Sequence, residues 1–249
     1  MEVHHHPHVE KKSFNEYLLE GLMIFLAVTM GFFAENIREH FVDKEREHEY
    51  MHSLYQDLKT DIGSLDSAIK DNEDDIAMYD SIFTIFKTKR YVKETVNLYY
   101  YTRTTIGVRS FYPTDGTLKQ LENAGGFRLI KNRGVIDSLQ SYKQGISLLK
   151  DVQEYEHQYF MSAKNQLGKI FDADVFDSVV GNKNDGVYKR PDKNYPLMPF
   201  TNTDLNEFHV PMNLIKGNRF KQIRVMILLK RKATNLIKLL NEKYHLENE

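Results

Sequence analysis

The sequence predicts an all-α protein in which an N-terminal transmembrane helix continues into a long heptad-patterned stalk and packs with further long helices as a bundle. Three observations predict this class. The chain opens with one long apolar segment, the residues after it repeat every seven positions, and only six prolines and thirteen glycines interrupt 249 residues. A chain of this length with 41% hydrophobic residues can bury a sizeable core, so it is not disordered.

Composition excludes several classes of function. The chain has no cysteine, which removes disulfides, thiolate catalysis and cysteine-ligated zinc. Its net charge of -1 creates no field that would attract nucleic acid, and neither a nucleic-acid partner nor a cofactor is predicted. The charge is uneven, since residues 35–93 hold 14 acidic and 9 basic side chains while residues 216–249 hold 3 acidic and 9 basic.

Four regions follow from these patterns. We predict a flexible His-rich tail over 1–13, a transmembrane helix over 14–36, a stalk helix over 37–90 and a helical bundle domain over 91–249.

The transmembrane prediction rests on the fourteen uncharged residues between Glu20 and Glu35. A bilayer core needs about 20 apolar residues, and a soluble core helix would show a polar stripe that this segment lacks. The residues expected to face lipid are all large and apolar: Leu18, Leu19, Leu22, Ile24, Phe25, Leu26, Val28, Phe32 and Phe33. Ala27 and Gly31 stand four apart and form a small face that could pack against a second span.

The orientation of this span does not follow from the sequence. Lys11 and Lys12 precede it, and Arg38, Lys44 and Arg46 follow it. The two flanks therefore carry nearly equal numbers of basic residues, and the positive-inside rule favours neither orientation.

A heptad pattern covers the stalk. Its a column contains Phe41, His48, Tyr55, Ile62, Ile69, Ile76 and Phe83, and its d column contains Lys44, Met51, Leu58, Leu65, Asn72, Tyr79 and Phe86. The register passes through Gly63 unchanged, which predicts one uninterrupted helix. Self-association through this seam is a hypothesis.

The stalk also contains His48-Glu49-Tyr50-Met51-His52, the H-E-x-x-H pattern of zinc peptidases. Such a site needs a third ligand, and the available candidate is Glu73. If the stalk is one helix, Glu73 lies about 30 Å from His52 and cannot share its metal. We expect no metal site. The alternative hypothesis is a zinc site with His48 and His52 as ligands.

The remaining chain predicts further helices. The segment 93–105 is expected to be helical, a short helix should end at Asn123, and Asn132 should begin a long helix. Residues 173–203 are expected to form a long irregular connection.

The last helices are predicted from a cap and a proline. Thr203 is expected to cap a helix that Pro211 interrupts or kinks, with a final amphipathic helix over 218–244. The basic residues of that final helix are Arg219, Lys221, Arg224, Lys230, Arg231, Lys232, Lys238 and Lys243. They could pack beside the acidic stalk or contact anionic lipid head groups.

Two stretches, EGLMIFLAVTMGFFAENIREH and QLENAGGFRLIKNRGVIDSLQSY, resemble an uncharacterised family of single-span membrane proteins common in Bacteroidota. Leu121, Gly125, Leu129, Ile130 and Asn132 match the Leu-x-x-x-Gly-x-x-x-Leu-Ile-x-Asn segment of that family. The resemblance implies a bacterial inner-membrane location, on a side that it does not specify. The family has no assigned activity, so the resemblance does not indicate a mechanism.

Together these patterns predict a membrane-anchored helical protein with a structural, scaffolding or interaction role, whose protein partner is unknown. The alternatives are a zinc-dependent peptidase using His48, Glu49 and His52, and a soluble helical adaptor whose first helix belongs to a core.

Overall fold

The structure, a computed structural model, describes residues 13–107, 109–123, 125–181 and 187–246. The His-rich tail predicted over 1–13 lies outside the described residues, apart from Ser13. The helices in the described residues are α1 (Phe14–Lys87), α2 (Thr95–Thr105), α3 (Gly116–Asn123), α4 (Arg133–Lys164), α5 (Ala173–Ser178) and α6 (Asn202–Tyr244). These residues contain no strand beyond an isolated bridge between Val180 and Tyr188, so the all-α prediction is confirmed.

The first helix is continuous over 74 residues. It passes through Gly63 without a break, as the unbroken heptad register predicts. It ends at Lys87, and Lys89 then adopts a left-handed conformation with φ of 54°. The chain divides into two compact units, Met1–Tyr50 and Met51–Glu249. The later part of α1 therefore belongs to the same unit as the helices that follow it.

Within the second unit, α6 runs antiparallel to both α4 and α1. Against α4, the side chain of Asn218 donates to the carbonyl of Val152 at 2.9 Å, and Lys232 donates to the carbonyl of Ser141 at 2.8 Å. Against α1, three basic residues of α6 meet acidic or polar residues in reverse order along the chain, as described below. The predicted packing of the basic helix beside the acidic stalk is confirmed.

The buried stripe of α1 differs in part from the predicted seam. The d column is buried at Met51, Leu58, Leu65, Asn72, Tyr79 and Phe86. The second buried column is mainly g, the neighbour of a, and its buried members are Glu47, Leu54, Asp61, Asp75 and Ile82. In the a column Tyr55 and Ile76 are buried, whereas Phe41 is exposed and Ile62, Ile69 and Phe83 are only half-buried. A hydrophobic pattern does not reveal that column g is buried, because three of its buried members, Glu47, Asp61 and Asp75, are carboxylates.

One of those carboxylates, Asp61, joins α1 to two other parts of the chain. It accepts hydrogen bonds from the hydroxyl of Tyr142 at 2.5 Å and the amide of Thr114 at 2.7 Å. One turn earlier, Asp57 accepts from the amide of Thr117 at 3.3 Å. Asp57 thus satisfies an amide in the first turn of α3, where helix amides have no partner within their own helix, and Asp61 holds the residues just before that helix.

The sixth helix begins earlier than predicted. Its cap is Thr201 and not Thr203. The hydroxyl of Thr201 accepts a hydrogen bond from the amide of Asp204 at 3.1 Å, and the carboxylate of Asp204 accepts one from the amide of Thr201 at 2.9 Å. The predicted interruption at Pro211 is wrong, since α6 is continuous through it. Pro211 lies on a buried face with Phe208 and Met212, and burial of that face offsets the hydrogen bond that proline removes.

The connection predicted as irregular over 173–203 contains α5, so that prediction is wrong for these six residues. Asp172 caps α5 by accepting from the amides of Asp174 and Val175. The hydroxyl of Tyr99 holds both ends of the connection, accepting from the amide of Asp172 at 3.0 Å and donating to the carbonyl of Pro196 at 3.1 Å.

Candidate functional site

The predicted membrane segment is the most exposed apolar part of the described chain. All nine residues expected to face lipid lie on α1, with exposed fractions from 48% at Leu26 to 68% at Phe32. Among the described residues, α1 is the one helix that is long and apolar enough to cross a bilayer. No residue in the most apolar stretch of this helix is buried.

The small face of that segment is also open. Ala27 and Gly31 are exposed, and a Cβ added to Gly31 would meet nothing within 4 Å. Their role in packing against a second span stays a prediction.

The residues of the H-E-x-x-H pattern all lie in α1. Because this helix is continuous, Glu73 is 21 residues beyond His52, about 30 Å at about 1.5 Å per residue. Glu73 therefore cannot be the third ligand of a metal held by His52. Among the residues that the structure describes, no group of three or more histidine or carboxylate side chains is arranged to hold a metal ion.

A cluster of four charged residues, three of them buried, joins α1, α4 and α6, and we call it the ion cluster. It comprises Asp75, Arg109, Glu156 and Arg219. Arg219 is fully buried, and its Nη2 lies 2.7 Å from Oε1 of Glu156 and 3.7 Å from Oδ2 of Asp75. Arg109 closes the cluster from its partly exposed side, donating to both oxygens of Asp75 at 3.0 and 3.3 Å.

Neutral groups add further hydrogen bonds to the cluster. Arg219 donates to the side-chain oxygen of Asn72 at 3.1 Å and to the carbonyl of Gly107 at 2.8 Å. Glu156 accepts from Asn218 at 3.3 Å and also from Gln222. The two arginines balance the two carboxylates, so the cluster is neutral when all four groups are ionised.

Burial has the largest effect on the pKa of each carboxyl group in the ion cluster. It raises the pKa of Asp75, although hydrogen bonds from Arg109 and the charge of Arg219 act against it. It likewise raises the pKa of Glu156, against the charge of Arg219 and the hydrogen bond from Asn218. Removing one partner of such a buried pair costs far more than the pair contributes, because the other charge stays in the interior. The cluster therefore fixes which residues of the three helices face one another.

Sequence reasoning missed the ion cluster. It placed Arg219 among eight basic residues of α6 without separating it from the exposed ones. A usable signal exists in α1, where Asp61 and Asp75 share a column with Leu54 and Ile82 beside the buried d column. An acidic residue that recurs between large apolar residues of one helical column indicates a buried polar contact.

A groove lies on the surface between α4 and α6, with a volume of about 600 Å³. Leu148, Val152, Tyr155 and Val225 form its apolar lining. Asn218 also lines it and connects it to Glu156 of the ion cluster. The groove offers apolar contact area beside the polar layer of the ion cluster.

Comparisons with protein-family models, with curated proteins and with solved structures give no match for this chain.

Proposed function

We propose that this protein is a single-span membrane-anchored helical protein with a structural, scaffolding or interaction role. The observation that carries the proposal is the apolar segment at 14–36, whose large side chains are exposed along α1. In water each such side chain costs roughly 1.5–3 kcal/mol relative to burial, and soluble proteins rarely expose a contiguous patch of this extent. A bilayer removes that cost.

The second unit supports the interaction role. It holds its own buried core and an ion cluster that fixes the arrangement of its helices, and it presents the groove between α4 and α6. A peptidase is not proposed, because Glu73 is out of reach of His52. The resemblance to Bacteroidota proteins supports the inner membrane of a bacterium as the location.

Self-association through the stalk seam is not proposed beyond Tyr50. From Met51 onward the d column is buried inside the chain and is not available to a second copy. Packing between spans through Ala27 and Gly31 remains the route by which copies could associate.

Alkaline carbonate extraction of membranes from cells that express the full chain tests the anchor. The wild-type chain should stay in the membrane pellet, because carbonate releases peripheral proteins but not spanning helices. A variant with Phe25→Lys and Leu26→Lys should be released, because each lysine at the centre of a span costs about 3 kcal/mol. The control with Ser64→Lys and Ser67→Lys adds the same charge to exposed sites of α1 and should stay in the pellet. Release of the wild-type chain would overturn the proposal.

A further inference from the structure

The basic residues of α6 divide between two faces of the helix. Lys216 pairs with Asp80 of α1, and Lys230 pairs with Asp66 of α1 at 2.6 Å. Together with Arg219 of the ion cluster, these two lysines attach α6 to the acidic side of α1. A second set of basic residues lies at the groove between α4 and α6.

This groove has one acidic edge and one basic edge. Asp151 and Glu154 line it from α4, and Lys221 lines it from α6, with Arg224 exposed three residues further along the same face. None of these four residues forms an ion pair with another residue in the part of the chain that the structure describes. The two sides of the groove therefore present charges of opposite sign.

Apolar side chains extend the groove along both helices. On α4, Leu148 and Tyr155 are seven residues apart and are 50% and 60% exposed. On α6, Leu214 and Leu228 stand seven residues before and seven after Lys221, so they share its face, and they are 47% and 45% exposed. The two helices thus present a shared band of half-exposed apolar groups.

Gly217 leaves a notch in this band. It lies three residues after Leu214 and four before Lys221, which places it on the same face of α6. A Cβ at this position would meet no described atom within 4 Å. The notch can therefore receive a ring from outside the chain.

We propose that the groove binds the same groove of a second copy of the chain, with a twofold axis that runs along the helices. Such an axis places α4 of each copy opposite α6 of the other, as in a four-helix bundle. The acidic edge of each copy then meets the basic edge of the other. A partner of one charge sign would be repelled at one of the two edges, so charge complementarity selects a second copy.

The packing of α4 on α6 determines which residues meet. The two hydrogen bonds between these helices set an antiparallel register that places Asp151 level with Lys221, and Tyr155 level with Gly217. A twofold axis along the helices keeps these levels. Asp151 of one copy therefore faces Lys221 of the other, and the ring of Tyr155 lies over the notch at Gly217 of the other copy.

The expected interface is small. The band from Leu214 to Leu228 is about 21 Å long and two helices are about 20 Å wide, so each copy contributes roughly 400 Å². A standard interface takes about 800 Å² from each partner, so association should be weak between free chains. The inference names a partner for the proposed interaction role and rests on the proposed anchor, because confinement to one bilayer raises the effective concentration of the copies.

Energy transfer between copies in vesicles tests the inference. The chain has no cysteine, so Thr234→Cys, at an exposed position of α6 outside the groove, gives a single labelling site. Full-length copies that carry a donor dye or an acceptor dye are reconstituted together into phosphatidylcholine vesicles. The transfer should exceed the level expected for copies placed at random in the same bilayer.

Charge reversal provides matched variants. Asp151→Lys and Lys221→Asp each place like charges opposite one another at two symmetric contacts, so each variant alone should associate roughly tenfold more weakly. A mixture of donor copies with Asp151→Lys and acceptor copies with Lys221→Asp should recover the transfer, because opposite charges meet again at both contacts. The same changes at exposed positions of α1, Glu73→Lys and Lys87→Asp, should leave the transfer unchanged.

A larger side chain tests the notch. Gly217→Gln fills the space that the ring of Tyr155 needs in the other copy, so transfer should fall to the random level. The helix itself should tolerate this change, because glycine is a poor residue for a helix interior. Gly63→Gln is the control, since Gly63 also lies in a helix with open space around it, and it should leave the transfer unchanged.

Three results would contradict the inference: random transfer in the wild type, undiminished transfer in Asp151→Lys, or a mixture that transfers no more than each variant alone. Association through the span would instead be lost in Gly31→Ile and retained in Asp151→Lys. Carbonate extraction reads the anchor separately. A chain that resists carbonate but shows random transfer has the anchor without the groove contact, and a chain that carbonate releases but whose transfer keeps this charge dependence has the contact without the anchor.

Discussion

Arg219 of α6 and Glu156 of α4 form an ion pair that is wholly removed from solvent, with 2.7 Å between Nη2 and Oε1. Arg219 also donates to Asn72 of α1, so this one side chain links α6 to both α4 and α1. Because a buried charge without a partner is costly, this pair makes the packing of the helices sensitive to single substitutions.

Arg219→Met should lower the free energy of unfolding by about 3–5 kcal/mol, because it leaves Glu156 buried without its cation. The measurement is urea unfolding of the full chain in detergent micelles. Arg224→Met, on the exposed face of the same helix, should change stability by no more than about 0.5 kcal/mol. Adding Glu156→Gln to Arg219→Met should recover part of the loss. Equal losses in the two single variants would contradict the account of the ion cluster.

The pH dependence of stability should carry the signature of Glu156. Burial raises the pKa of this carboxyl in the folded chain above its value in the unfolded chain. Its contribution to stability is therefore fully present below the unfolded pKa and is lost as pH rises through the folded pKa. Wild-type protein should accordingly gain stability relative to Glu156→Gln as the pH falls.

The exposed residue Glu154 supplies the control on the same helix. The difference between wild type and Glu154→Gln should show no such trend. A difference between wild type and Glu156→Gln that stays flat with pH would show that the Glu156 carboxyl is not desolvated.

His209 should behave in the opposite sense. It packs against the rings of Phe83, Phe86 and Phe208, at centroid distances of 5.2, 5.1 and 5.7 Å. This burial lowers the pKa of His209 to about 4. Since the unfolded imidazole takes up a proton near its ordinary value of about 6.5, the contribution of His209 to stability is lost as the pH falls from there toward 4.

NMR titration of histidine ring protons checks this value, with the His209 signal assigned by its absence in His209→Gln. The ring should stay neutral down to about pH 4. A midpoint near 6.5 would show that the aromatic packing around His209 is open to water.

Gly63→Ala should raise the free energy of unfolding by about 0.5–1 kcal/mol, because glycine is a poor residue for a helix interior. A Cβ at this position meets nothing within 4 Å. Gly126→Ala is the contrasting variant, since its Cβ would stand 2.9 Å from Cδ2 and 3.1 Å from Cα of Leu121, and it should lower stability. Destabilisation by Gly63→Ala in thermal unfolding would contradict an unbroken α1.

Regular patterns in the sequence were enough to predict the long elements. The heptad register predicted a continuous α1 through Gly63, and a long helix was correctly predicted to begin at Asn132, whose side chain caps α4 by accepting from the amide of Val135. Where two local signals competed, the outcome depended on contacts. Both Thr201 and Thr203 can cap a helix, and only Thr201 has an acidic residue three positions on.

The pattern of α1 can indicate that Asp75 is buried, but it cannot identify the partners of Asp75, because the members of the ion cluster are far apart in the chain. Arg219 is 63 residues from Glu156 and 144 from Asp75, and no local rule distinguishes it from Arg224. The packing of three helices decides which arginine is buried. The same packing makes Pro211 an interior residue of α6, although its local effect favours a break.

Cysteine accessibility tests the membrane anchor most directly, because the natural chain has no cysteine. Leu26→Cys and Ser64→Cys are compared in membranes opened by gentle permeabilisation and treated with a membrane-impermeant maleimide. The account predicts that Cys at position 64 reacts, while Cys at position 26 reacts only after detergent dissolves the bilayer. Equal reaction at both positions in the undissolved membrane would contradict a transmembrane segment at 14–36.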